Sequence, residues 1–473
     1  MPTVALRCYF KANTYLEQKK FVVNLTNSSV LGKIFNNVHR KIFKMLTQTK
    51  WLLTMADKFE VPERFKSNEQ SVFEAFNDLV EQYHPVDLGQ GAPDFNPPLK
   101  LRSAMSKIML SGDAALNQYT RDYGHPRLVN AIGKYYSKLL NRILDPYNNI
   151  FITVGATEAL FLSLQTHTNP GDEWIIIEPY YDPYLKMVKD ALGVARFIAL
   201  KPNKLNGTIT SDDWTFDRQE LRNLFNVNTK GIIVNTPNNP IGKVFTLDEL
   251  TFIADLAKKW DTLVIFDEVY QFLTFNNKKH IRIATLPGMF ERTISIGSGG
   301  KAFSATGWRL GWVYGGAKIL SNLRALQTNV VMSVPTSMQE AFAIIFEDEL
   351  RNFGKSNSYL TSFNKLVESK KSYIIKGLTE LGMTVIVPDG GYFVVANWTT
   401  LAHEVNITKK TTGDMDTEFI KWMIKNVKVL GFPFASFFDK NDKHIGEGGI
   451  RFAYVKKKKT LKNAIELMSK WGS

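Results

Sequence analysis

Ser298-Gly-Gly-Lys301-Ala-Phe-Ser304-Ala-Thr-Gly307-Trp-Arg309-Leu-Gly311 sets one lysine in a loop of glycine and serine, with one arginine eight residues later. The apolar run Thr293-Ile-Ser-Ile296 just before it reads as a buried strand. A lysine in such a loop is ordinarily just solvated. Its amine becomes a reagent toward carbonyls when its pKa is lowered or a cofactor has captured it. The neighbouring hydroxyls and the arginine suit a phosphate. A Walker A loop would need glycine where Ser295 stands and a hydroxyl where Ala302 stands. Gly297-Ser-Gly299-Gly-Lys-Ala302 matches a loose dinucleotide fingerprint, but that fingerprint opens a helix, and residues 304–311 are poor helix material. The remaining reading is a pyridoxal-phosphate (PLP) site, with the aldehyde on Lys301 and the phosphate on Ser298 and Arg309. It requires partners elsewhere in the chain.

Those partners stand at the ends of other apolar runs. From about residue 125 to 335, helical stretches alternate with short runs at 150–154, 174–177, 231–235, 263–267, 293–296 and 312–314. Runs without polar alternation suit strands covered on both faces. Thr246-Leu-Asp-Glu249 is a capping box opening one intervening helix. The pattern predicts an α/β fold with a mainly parallel sheet, whose ligands gather at the strands' C-terminal ends. There stand Asn235-Thr-Pro-Asn-Asn239-Pro-Ile-Gly242 and Phe266-Asp267-Glu-Val-Tyr270. A carboxylate at the mouth of a buried strand is costly unless paired. Asp267 could pair with a protonated pyridine nitrogen, making the ring a better electron sink. Tyr270 and Asn239 could donate to its phenolic oxygen. Singly, each is as readily a turn residue or a cap; together they point to one ring.

Val154-Gly-Ala156-Thr157-Glu158 runs into an apolar helix, and free amides at a helix start bind phosphate. Ala156 and Thr157 are the candidates. In Glu178-Pro-Tyr180-Tyr181 an aromatic could stack on the ring or simply pack in the core. Gly449-Ile-Arg451-Phe-Ala-Tyr puts one arginine in an apolar strand, where a substrate carboxylate or an internal salt bridge would pair it. Asp87-Leu-Gly-Gln-Gly91-Ala-Pro-Asp-Phe-Asn-Pro-Pro98 is a fixed irregular loop that can bring backbone close to a ligand. Before it, apolar spacing predicts a helix over 71–83.

The domain plan that follows has a leader at 1–54, a segment at 55–95 joining a small domain, a large domain at 96–335, and a small α+β domain at 336–473. The small domain is expected to hold a helix over about 357–381, a hairpin of 384–387 and 392–397, a helix around 417–425, a strand over 449–455 and a final helix. The 473 residues, 44% of them hydrophobic, can bury a large core. One cysteine, Cys8, excludes a disulfide framework and a cysteine metal site, and the 7 His show no ligand spacing, so no metal is expected. No apolar run reaches membrane-span length.

The net charge of +14 is uneven, because residues 1–54 carry nine Lys and Arg against one acid, Glu17. That leader fits a mitochondrial transit peptide, or a disordered extension ahead of a second start at Met55. The expected locations are the mitochondrial matrix, the cytoplasm, or both. No helix-turn-helix or aromatic interleaving supports a nucleic-acid arm.

Asn-Thr-Pro-Asn-Asn-Pro, Asp-Glu-Val-Tyr and the Lys301 motif, in this order, resemble class I/II aminotransferases of PLP fold type I, from about Phe59 to Trp471. Asp87-Leu-Gly-Gln-Gly91, Asn117-Gln-Tyr-Thr120, Phe419-Ile-Lys-Trp-Met-Ile-Lys-Asn426 and Ile450-Arg-Phe narrow the likeness. It is to kynurenine aminotransferases, also called glutamine transaminases and cysteine-S-conjugate β-lyases. The resemblance implies a Schiff base on Lys301, the ring held by Asp267, Tyr270 and Asn239, and Tyr181 stacked on it. It implies phosphate contacts from Ser298 and Arg309, and the substrate carboxyl on Gly91 and Arg451. Tyr119 would reach the partner's phosphate in a homodimer. Thr157, Phe73 and Met332 depart from the family's usual residues, and these changes sit where the side chain of the substrate would lie. Rival readings are a dedicated lyase or aminocyclopropane-carboxylate synthase-like enzyme, and a catalytically silent PLP-fold regulator. The intact set of Lys301, Asp267 and Arg451 disfavours the regulator.

Overall fold

The apolar runs become one seven-stranded sheet. A computed structural model describes residues 58–65, 74–204, 207–404 and 414–471. The chain divides into two compact units, 1–66 and 67–473. In the first, the described residues include a 3-10 turn at Glu63–Phe65; the expected leader lies outside the described residues.

In the second unit the large sheet runs Ile150–Thr153, Gly311–Gly315, Thr293–Ser298, Leu263–Asp267, Thr229–Asn235, Glu173–Glu178 and Val194–Ala199. Gly311–Gly315 is antiparallel to both neighbours, and every other pairing is parallel. Ile150–Thr153 and nearly all of Glu173–Glu178 are buried, because helices cover both faces of the sheet. Six of the strands fall on the predicted runs. The seventh, Val194–Ala199, forms one edge. Its half-exposed first residues hide it among surface segments.

The capping box forms as read. Glu249 N donates to Thr246 Oγ1 at 3.2 Å, and Thr246 N donates to Glu249 Oε2 at 2.8 Å. Register then decides where the polar residues meet. Asn235 pairs with Asp267, and Asp267 with Ile296, so three strand mouths open at one level.

A second, five-stranded sheet is built mostly from the C-terminal third. It orders Phe432–Pro433, Gly449–Ala453, Phe393–Asn397, Thr384–Val387 and Ile209–Thr210. The hairpin of 384–397 is present, and the helix Tyr359–Glu380 packs beside it. The last strand of this sheet comes from inside the 96–335 segment. Val86–Asp87 pairs in parallel with Val429–Leu430, tying the N-terminal segment to this half of the unit.

Two helices differ from expectation. Over 71–83 the helix is only Asn77–Tyr83, with a turn at 74–76 and residues 71–73 outside the described set. The helix expected near 417–425 is Met415–Trp422, followed by a π-turn at Met423–Val427. No described helix is long and apolar enough to cross a membrane.

Candidate active site

The strand mouths enclose a cavity of about 430 Å³. Lys301 stands on the helical turn Gly299–Ala302, capped by Ser298, whose Oγ accepts from Lys301 N at 3.3 Å. Tyr392 OH donates to the Lys301 carbonyl at 2.6 Å and fixes the turn from the second sheet's side. The Lys301 amine donates to the Gly91 carbonyl at 2.6 Å and lies 5.8 Å from the centre of the Tyr270 ring. Burial, reinforced by Arg451 and Arg309, brings its pKa down to about 7, against the pull of Asp267. A neutral fraction of the amine is therefore present near neutral pH.

Asp267 ends its strand and is 3% exposed. Tyr184 OH donates to its Oδ2, and Val269 N donates to Oδ1 at 3.3 Å. Burial pushes this carboxyl up to about 6, while those two bonds oppose the shift. The Asp267 carbonyl takes Asn235 Nδ2 at 3.0 Å, and Asn235 Oδ1 takes Asn239 N at 2.7 Å. One chain of hydrogen bonds thus orients the whole Asn235–Asn239 turn.

Arg451 is 1% exposed. Its Nη1 donates to Asn239 Oδ1 at 2.9 Å and its Nη2 to the Gly89 carbonyl at 2.6 Å. It also lies 4.0 Å from the centre of the Phe393 ring. Burial pulls its pKa down to about 9, which leaves the guanidinium charged at neutral pH. Both of these acceptors are neutral groups, and the guanidinium lines the cavity.

Ala156 and Thr157 also line the cavity, in the first turn of the helix Gly155–His167, where amides lack intrahelical acceptors. Arg309 donates from Nη1 to the Thr306 carbonyl at 3.1 Å and from Nη2 to Thr157 Oγ1 at 3.5 Å. Two glycines permit this closeness. A Cβ on Gly155, where φ is +76°, would stand 2.7 Å from Arg309 Nη2, and one on Gly311 would stand 2.5 Å from the Gly155 carbonyl carbon.

Eleven of the fourteen predicted residues line this one cavity: Lys301, Asp267, Tyr270, Ala156, Thr157, Tyr181, Asn239, Ser298, Arg309, Gly91 and Arg451. Tyr119 and Met332 do not line it; they are 79% and 49% exposed. Phe73 lies outside the described residues. Tyr184, Asn235, Thr306 and Phe393 also line the cavity and were not foreseen. Asn235 and Thr306 sit inside quoted motifs and could have been included. Tyr184 and Phe393 arrive by tertiary packing.

The arrangement combines an amine of lowered pKa, a buried carboxylate and a charged guanidinium with a helix start that Arg309 meets. It can form a Schiff base, transfer a proton and orient a carboxylate.

The comparisons with known proteins agree. The chain is 39% identical over 459 residues to kynurenine–oxoglutarate transaminase 3 of Mus musculus, covering 97% of this chain and 99% of that protein. It is 39% identical over 411 residues to kynurenine–oxoglutarate transaminase 1 of Rattus norvegicus, covering 86% and 97%. The crystal structure of Bna3p from Saccharomyces cerevisiae superposes with a TM-score of 0.81 at 29% identity, covering 87% of this chain and 99% of that one. The profile described as aminotransferase class I and II matches residues 83–467, which include the eleven cavity residues foreseen from the sequence and every strand of the seven- and five-stranded sheets. The fold is therefore type I of the PLP-dependent transferases, and the chain belongs to the class I and II aminotransferases.

Proposed function

We propose that this enzyme moves the amino group of L-kynurenine, glutamine or aromatic and sulfur amino acids to a 2-oxo acid. Loss of the amino group from kynurenine lets the oxo acid cyclise to kynurenic acid. The observation that carries the reading is the placement of the Lys301 amine in the same cavity as the Asp267 carboxylate and the Arg451 guanidinium. The names of the relatives support the choice of amino donor.

The residues fit PLP. Arg309, Thr157, Ser298 and the amides of the 155–167 helix would take its phosphate, and Gly155 and Gly311 leave the room that a Cβ would fill. Asp267 would pair with the ring nitrogen, Tyr270 and Asn239 would hold the phenolic oxygen, and Tyr181 would cover a face. Bound there, PLP supplies a carbonyl that condenses with amines and an electron sink that acidifies the adjoining Cα–H.

Lys301 takes the proton from the substrate Cα and later delivers one, as the amine of lowered pKa that such a base needs. Tyr184 keeps Asp267 ionised against burial. Arg451 and Gly91 hold the substrate carboxylate and so fix which Cα substituent faces Lys301. With a leaving group on Cβ, the same proton removal permits elimination, a cysteine-S-conjugate β-lyase side activity.

The working unit is a homodimer to whose partner site Tyr119 contributes. Residues 96–335 form the large domain, and 55–95 with 336–473 form the small one. The protein resides in the mitochondrial matrix, the cytoplasm, or both.

The test is product analysis with L-kynurenine and a panel of 2-oxo acids. Kynurenic acid formed by the wild type and absent with Lys301→Ala supports the proposal. Activity with glutamine or phenylalanine but none with kynurenine would retain the aminotransferase and remove the kynurenine assignment.

A further inference from the structure

Both active-site cations lean on the main chain of a single loop. Arg451 Nη2 donates to the Gly89 carbonyl, and Lys301 Nζ donates to the Gly91 carbonyl, each at 2.6 Å. What orients the Gly89 carbonyl is the side chain of Asp87. Its Oδ1 accepts from Gly89 N at 2.8 Å and from Gln90 N at 2.9 Å. The Gly89 carbonyl and the Gln90 N–H belong to one planar trans peptide and point opposite ways. Drawing the Gln90 N–H to Asp87 therefore turns the Gly89 carbonyl out toward Arg451.

The rest of the loop is anchored to the strand Val429–Leu430 and to the strand Gly449–Ala453 that carries Arg451. Leu88 N donates to the Leu430 carbonyl at 3.0 Å, and Ala453 N donates to the Leu88 carbonyl at 2.6 Å. Asp87 Oδ2 lies 3.9 Å from Nζ of Lys456, a residue 4% exposed just beyond that strand. At the loop's far end Asp94 accepts from Lys457 N and Thr460 Oγ1. The loop is thus held at both ends, and the Gly89–Gln90 peptide that meets Arg451 is oriented by Asp87.

We infer that Asp87 is a positioning residue for substrate binding: it orients the Gly89–Gln90 peptide, and that peptide aims the Arg451 guanidinium at the substrate carboxylate. The inference rests on the reading of Arg451 as the carboxylate group. Asp87 does not line the cavity, so its effect belongs in KM rather than in the chemical step. Oxygen geometry matters here more than charge, because two N–H donors are held by one side-chain oxygen that an asparagine also possesses.

The test compares D87A, D87N and R451M as full-length, PLP-bound enzymes, measuring KM and kcat for an amino acid and a 2-oxo acid, with visible absorbance and thermal melting as controls. Losing two side-chain-to-backbone bonds, D87A raises KM for both substrates about tenfold and leaves kcat within about threefold. D87N, which can still accept both N–H groups, recovers most of that loss. Should D87A fail to accumulate, D87S reports the same split, since its shorter hydroxyl loses the reach to Gln90. An unchanged KM, a loss confined to kcat, or a D87N as impaired as D87A would overturn the inference. R451M separates the two levels. If it raises KM and D87A does not, the role of Asp87 falls alone. If R451M itself leaves KM unchanged, the carboxylate reading falls.

Discussion

Tyr184 donates its hydroxyl hydrogen to the Asp267 carboxylate across a buried contact between the helix that follows Tyr181 and the strand Leu263–Asp267. Burial drives the carboxyl toward its neutral form, and this bond drives it back. The charge that the ring nitrogen would need thus depends on a residue 83 positions away in the chain. Tyr184→Phe removes the donor and lets the Asp267 pKa rise further. The acid limb of the pH–rate profile then shifts to higher pH, and kcat falls about tenfold, as for loss of a hydrogen bond to a charged group. A profile identical to the wild type's would contradict this coupling.

Lys301 makes the apo form's stability depend on pH in a defined direction. Its pKa is about 7 in the folded chain, below the ordinary lysine value of 10.5. Between those values the unfolded chain binds the extra proton, so this group's contribution raises stability as pH climbs from about 7 to about 10.5. Thermal melting of apo protein across that window should show a smaller rise in Lys301→Met than in the wild type. Equal slopes would place the amine's pKa near its ordinary value.

Gly155 stands directly against the Arg309 guanidinium. Alanine there meets Arg309 Nη2 at 2.7 Å and must adopt a φ of +76°. Such strain costs about 1–3 kcal/mol. Gly155→Ala should weaken PLP affinity about tenfold or more, read by titrating apo enzyme with PLP and following the visible absorbance. Unchanged affinity would show that Arg309 is not a phosphate ligand.

Tyr119 has most of its surface exposed and lies away from its own subunit's cavity. If it completes the partner's site, inactive Tyr119→Ala and Lys301→Ala chains should complement each other. Random reassociation gives hybrids with one intact site, and about a quarter of wild-type activity returns. No recovery on mixing, with hybrids verified, would remove Tyr119 from the partner's site.

The sequence made the site legible where polar residues broke an apolar rule. Asn239, Asp267 and Lys301 follow uninterrupted buried runs, and Arg451 interrupts one; each needs a partner, and the partners proved to be one another's neighbours. Val194–Ala199 gave no such contrast, since an edge strand with exposed residues resembles a surface segment. The helix before Tyr83 is shorter than its apolar spacing implied, because Phe76 turns into the core ahead of the first helical residue. Tyr184 and Phe393 carry no local signal: each is an aromatic among aromatics until packing sets one on Asp267 and the other under Arg451.

The most direct test of the central claim is a half-reaction. Purified enzyme is mixed with L-kynurenine alone, and the visible absorbance of bound PLP is followed before and after adding a 2-oxo acid. The account predicts that the absorbance bleaches with the amino acid and returns with the oxo acid, and that Lys301→Ala shows no such cycle. A wild-type enzyme that shows no absorbance of bound PLP, or one that bleaches and is not restored by any 2-oxo acid, would contradict it.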